Sequence, residues 1–141
     1  MAAWMRQGMG LDVALAVALE IGKLRLDTAE SAAERAGAMD FNERLWRTIR
    51  RLAATSFELA GRDALLSGAD AAESAWSDPA AVATLNARHA GVLAGRAATQ
   101  GALRRLLDDW VAHRRANPRA EFATWLLIRI EEEGAPLSLA A

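Results

Sequence analysis

The chain has 141 residues, 52% of them hydrophobic, with a net charge of -1, three Pro and no Cys. That length suits one domain able to bury a real core, and the near-neutral, apolar composition excludes a disordered tail or a polyanion-binding arm. Without Cys there are no disulfides, thiolate metal sites or Cys nucleophiles, and a secreted disulfide scaffold is excluded; a reducing cytoplasm fits this but is not required by it.

Taken in chain order, the elements all read as helices. There is no Tyr, β-branched runs are few, no Asn-Gly turn occurs, and Ala and Leu dominate throughout. The expectation is an all-α fold: a small bundle of about five to six helices in a single domain over residues 1–141. Arg6 before the apolar run LDVALAVALEIG superficially suggests a signal peptide. Asp12 and Glu20 interrupt that run, Lys23 and Arg25 follow it, and it is too short for the roughly 20 residues a membrane span needs. It is therefore expected as the first helix, residues 11–25, with Leu11, Leu15, Ala18 and Gly22 in one stripe and Val13, Val17, Ile21 and Leu24 in another. So wide an apolar arc calls for more than one neighbour.

Asp27 and Thr28 are candidate caps for a second helical piece over 28–36, ending before Gly37. The stretch AMDFNERLWRTIRRL (38–52) opens the next helix, with Phe41, Leu45, Ile49 and Leu52 spaced for one face and Trp46, Ala53 and Phe57 beside them. It is expected to reach about Leu59, with Gly61 as its stop, before a shorter helix carrying Leu65, Leu66, Ala69, Ala72 and Trp76. Asp78-Pro79 is a start signal, the carboxylate accepting orphan amides and Pro fitting the first helical position. Val82, Leu85, His89 and Val92 are the expected face of that helix, with a break between Gly95 and Gly101. A helix over 102–116 follows with Leu103, Leu106, Leu107, Trp110 and Val111. Asn117-Pro118 repeats the start signal for a last helix carrying Phe122, Trp125, Leu126, Arg129 and Ile130. Gly134 and Pro136 are its expected end, leaving the tail PLSLAA too short to fold by itself.

Little in the chain points to catalysis. His89 and His113 have no second His or carboxylate at the spacing that would pair ligands on one helical face, so no metal site and no cofactor are expected. His89 lies on an apolar stripe and reads as a satisfied core histidine. The acidic runs at 108–109 and 131–133 point in diverging directions and read as solvated faces. No nucleophile elbow, phosphate loop or dinucleotide fingerprint is present, so the chain is not expected to be an enzyme.

Arg44, Arg47 and Arg51 recur three and four residues apart, with Arg50 beside them and Glu43 as the only acid nearby in sequence. Such a row can contact phosphates. The slightly acidic chain and the lack of a stacking aromatic between the arginines make nucleic acid the weaker reading. Trp46, Trp76, Trp110 and Trp125 lie on or beside apolar stripes, so core packing is their default and partner anchoring the alternative.

AMDFNERLW (38–46) resembles the signature of the flagellar biosynthesis regulator FlaF family, small all-helical bacterial proteins. Here an acid, an aromatic, an Asn and then Arg-Leu-Trp are Asp40, Phe41, Asn42, Arg44, Leu45 and Trp46. RDALLS (62–67) and TLNARHAGVLAG (84–95) echo the family's following helices, so the resemblance covers about residues 11–95 and leaves 96–141 as a helical extension. The resemblance implies a non-enzymatic cytoplasmic regulator that promotes flagellin synthesis and export. Its partner would be flagellin, bound in a chaperone-like way, and it would act opposite the FlbT-type flagellin translation regulator. The residues then expected to bind the partner are Phe41, Asn42, Arg44, Trp46 and Arg47, with Leu45 and Ile49 in the core. Two alternatives stand beside it: an RNA-binding regulator using Arg44, Arg47 and Arg51, and a self-associating homo-oligomeric adaptor that buries the apolar face of the first helix or of the extension.

Overall fold

In a computed structural model, residues 10–55 and 61–140 are described, those from 133 to 140 by backbone alone. Arg6, Phe57 and Leu59 lie outside the described residues. Six helices and no strand form among them: α1 (Leu11–Thr28), α2 (Ala32–Thr55), α3 (Arg62–Glu73), α4 (Pro79–Leu93), α5 (Arg96–Ala116) and α6 (Phe122–Ala140). The all-α bundle expected from the sequence is what the chain adopts.

The centre of the bundle is α1. Ala14, Leu15, Ala16, Val17, Ala18 and Leu19 are buried in unbroken succession, and a helix apolar on all sides is one that neighbours enclose. Accordingly α2, α4, α5 and α6 all pack on it, and α3 bridges α2 and α4. Small side chains at 14, 16 and 18 let those neighbours approach closely, while Leu15 and Leu19 fill the space between. One continuous core draws Leu45, Ile49 and Leu52 from α2, Leu65 from α3, Leu85 and Leu93 from α4, and Leu106 and Leu126 from α5 and α6. No helix among the described residues is long and apolar enough to cross a membrane.

Several boundaries differ from the sequence expectation for identifiable reasons. The piece expected over 28–36 is not separate: α2 runs from Ala32 straight through Gly37. Its start is fixed by Ser31, whose Oγ accepts from the Glu34 amide at 3.0 Å, while the Glu34 carboxylate accepts from the Glu30 amide at 3.2 Å. This reciprocal arrangement, close to a capping box, satisfies two orphan donors. Asp27 and Thr28 instead close α1, Asp27 pairing with Lys23 and the Thr28 hydroxyl donating to the Leu24 carbonyl. Gly61 does mark a break: it sits in the left-handed region at φ 63, where a side chain would be strained and its Cβ would stand 2.8 Å from Val92 Cγ1. α3 ends at Glu73, so Trp76 lies in the following turn, partly buried against the core.

Asp78 caps α4 as expected, accepting from the Ala81 amide at 3.2 Å with Pro79 inside the first turn. The break falls at Ala94-Gly95, and Gly101 lies within α5. Asn117 ends α5 rather than starting α6: its backbone and side-chain amides both donate to the His113 carbonyl, at 3.0 and 3.1 Å. The Gly134 stop is overridden and α6 continues through Pro136 to Ala140; a proline ring already holds the helical φ, and its cost is one missing donor and local crowding. Leu24, Val92, Leu107 and Val111, placed on apolar stripes by the sequence, are 41–59% exposed. The described residues leave these edges only partly covered.

Candidate functional site

Three helices meet at a buried polar network. Asn42 (α2) and Asn86 (α4) are both 0% exposed. Asn42 Nδ2 donates to the Gly22 carbonyl at 3.1 Å and the Ala38 carbonyl at 2.8 Å. Asn86 Nδ2 donates to the Leu19 carbonyl at 3.1 Å and to Asn42 Oδ1 at 2.6 Å, and Asn86 Oδ1 accepts from Trp46 Nε1 at 2.8 Å. Every N–H of the three side chains therefore has an acceptor, which is what makes such burial tolerable. Gly22 is required beneath the network, because a Cβ there would overlap Asn42 Oδ1 and come within 2.8 Å of Asn86 Nδ2.

His89 extends the network through aromatic contact. Its ring meets Trp46 edge-on, centroids 5.4 Å apart, and lies against Gly68, where a Cβ would be only 2.5 Å from Nε2. The sequence reading of a core histidine holds for its burial but not for its satisfaction, since Nδ1 is buried without a hydrogen-bond partner. Burial, and then the charge of Arg88, hold the imidazole pKa below its ordinary 6.5, favouring the neutral ring.

These positions change the meaning of the predicted partner-binding set. Phe41, Asn42 and Trp46 are buried at 5%, 0% and 1% exposure, because their side of α2 faces α1 and the Asn86 and His89 side chains of α4. In this fold they build the interior and present no surface; Arg44 and Arg47 alone of the five are exposed. Leu45 and Ile49 are core, as expected. Asn86 and Gly22 had no predicted role, although an Asn amid aliphatics in TLNARHA and a Gly inside the apolar arc of α1 were the available signals.

Arg44 and Arg51 of the arginine row, and Arg50 beside it, are engaged by the protein itself. Arg44 makes a two-pronged contact with the Glu131 carboxylate of α6, Nε to Oε2 at 2.7 Å, the geometry that suits a guanidinium best. That hydrogen bond raises the Arg44 pKa further. Arg51 Nη2 donates to the Glu131 backbone carbonyl at 3.2 Å, and Arg50 pairs with Asp70 at 2.8 Å and Glu73 at 3.2 Å. Glu43 is thus not the only acid near the row, and Glu131 is not on a solvated face. With Arg44 and Arg51 engaged by α6 and Arg50 by α3, the row is a poorer phosphate track than its spacing suggests.

Two concave features stand out among the described residues. A groove of about 550 Å³ lies between α1, α4 and α5, lined by Val17, Ile21, Leu24, Ala87, Ala90 and Leu103. Glu20 and Arg96 bring opposite charges to it. Near the turn from α5 to α6, Trp110, His113, Phe122 and Trp125 form an aromatic cluster with centroids 5.8–6.0 Å apart, and the Arg129 guanidinium stands 5.9 Å from the Trp125 ring. Trp125 Nε1 is buried with no acceptor. A smaller hollow of about 230 Å³ beside it is lined by His113, Thr124, Ile128 and Glu132 among others. Among the described residues no group of His and carboxylates is arranged to hold a metal ion.

Compared with protein-family models, curated proteins and solved structures, the chain matches none.

Proposed function

We propose that this protein is a non-enzymatic helical binding module of flagellum biosynthesis. In this reading it shelters the amphipathic terminal helix of unassembled flagellin in the groove between α1, α4 and α5, and so promotes flagellin synthesis and export. The observation that carries the reading is the groove: apolar along its lining, open to solvent, and edged by Leu24, which is 59% exposed. An apolar groove between helices is the usual receptor for an amphipathic helix, whose anchor side chains recur every three to four residues. Glu20 and Arg96 supply opposite charges that favour one direction of the bound helix. The motif from Asp40 to Trp46 supports the same reading indirectly. Asn42 and Trp46 hold α1 and α4 together and thereby set the groove's walls. An FlbT-type translation regulator is the further partner this reading names.

The test is capture of flagellin monomer by the purified protein at low and high salt, alongside Leu24→Glu. Binding that survives salt and falls about tenfold or more in Leu24→Glu is expected, since a charge at the groove edge opposes an apolar partner. Failure of the unaltered protein to bind flagellin, or salt-sensitive retention of RNA in its place, would overturn the proposal.

A further inference from the structure

The helix α5 carries two apolar faces, and the fold uses only one of them. Ala102, Leu106 and Trp110 are buried in the core. Leu107 and Val111, with Leu103 partly buried at the groove's edge, form a second row at four-residue spacing, and Leu107 and Val111 are 41% and 51% exposed. Successive members of such a row step round the helix by about 40°, so the three make one slightly slanted stripe. Beside it, on the side away from the core, stand Arg104 and Asp108, both exposed. They form no ion pair with each other or with any other described residue. Within one helix, acid before base is the favoured order at this spacing, and here the base comes first.

We propose that this stripe binds the same stripe of a second copy, giving an antiparallel two-fold dimer centred on Leu107. A two-fold axis perpendicular to α5 at that residue places Leu107 against its own copy and Leu103 against the Val111 of the other chain. It also brings equivalent flanks together, as an isologous interface must. On that flank Arg104 then lies within about two residues' rise, roughly 3 Å along the axis, of Asp108 in the other copy. Symmetry repeats the pair on the far side of the axis. The second copy is the occupant because stripe and flank are self-complementary: each chain supplies the apolar row, one cation and one anion in the order the antiparallel partner needs. Leu103 belongs to both surfaces, so the dimer would cover the groove's α5 edge, but the stripe and its charged flank do not depend on what the groove binds.

Sedimentation equilibrium tests it. The full chain is expected at about twice the 15.1 kDa of one chain, and Leu107→Glu at the monomer mass with an unchanged far-ultraviolet circular dichroism spectrum. Arg104→Asp places two acids against two acids, and Asp108→Arg two bases against two bases. Each alone is expected to weaken dimerisation about tenfold, a modest effect appropriate to exposed charges. An equimolar mixture of the two variants restores every opposite-charge contact, and a one-to-one heterodimer is the expected product. A monomeric wild-type chain, a dimer indifferent to Leu107→Glu, or a mixture no tighter than its components would each overturn the proposal.

Discussion

Trp46 and Trp125 are both buried, yet the indole N–H of Trp46 donates to Asn86 at 2.8 Å and that of Trp125 has no acceptor. The difference extends to the regions around them. Where α1, α2 and α4 meet, two asparagines and a tryptophan form a closed set of directional hydrogen bonds over a glycine that nothing larger can replace. Where α5 turns into α6, four rings pack at 5.8–6.0 Å with no hydrogen bond between them. Hydrogen bonds fix helix register because a displaced buried amide loses its partner. Ring packing fills volume and tolerates sliding. The first region is specified; the second is stabilised, with the Arg44–Glu131 contact as its main polar tie to α2.

The largest expected effect breaks the first region alone. Asn86→Ala strips the acceptor from Trp46 Nε1 and the donor from Asn42 Oδ1, and takes from the Leu19 carbonyl the second donor it has beside its helical one. Stranding two buried polar groups at once and leaving a cavity is expected to cost about 4 kcal/mol. Urea unfolding followed by circular dichroism measures it, and a loss below about 1 kcal/mol would mean that the network contributes little to specification.

A pair of substitutions sharpens the comparison. Trp46→Phe and Trp125→Phe remove the same atoms, but only the first leaves a buried acceptor, Asn86 Oδ1, without its donor. We expect about 3 kcal/mol for Trp46→Phe and about 1 kcal/mol for Trp125→Phe, the difference measuring one buried hydrogen bond. Equal losses in thermal or urea melts would erase the distinction drawn between the two regions.

Why the sequence reveals one kind of information and withholds another is visible at the same residues. The helices were legible because apolar spacing is a local signal, and Asp78-Pro79 was legible because a cap acts within one turn. Asn42 was visible as one residue of the 38–46 motif, but its partner Asn86 is 44 residues away. The acid that engages Arg44 is 87 residues away. Spacing also shows that Leu24, Leu107 and Val111 lie on an apolar arc without showing whether a neighbour covers them. Among local signals, Ser31 with Glu34 marks the start of α2, and Gly37 does not stop it, because a glycine inside a long anchored helix costs only about 1 kcal/mol. Within 38–46, Phe41, Asn42, Leu45 and Trp46 are buried while Arg44 is exposed, a division that the order of residue types alone does not reveal.

The smallest effect concerns His89, on the edge of the specified region. Burial and the nearby Arg88 charge depress its pKa in the folded state, so the unfolded chain binds the proton more readily. The sign follows: this contribution to stability is fully present above about pH 6.5, the ordinary histidine value, and is lost as pH falls through the depressed folded value. Among the described residues no carboxylate is hydrogen-bonded to the ring and Nδ1 has no partner, so none of them compensates a positive charge there. His89→Gln removes the titration while keeping a polar side chain of similar reach. Unfolding free energies from pH 7 to pH 5 should therefore fall less steeply in His89→Gln than in the unaltered chain. Carboxylates shared by both proteins cancel in that difference. Parallel pH profiles would show that His89 titrates alike in the folded and unfolded chains, and would remove it from the set of groups whose burial the polar network enforces.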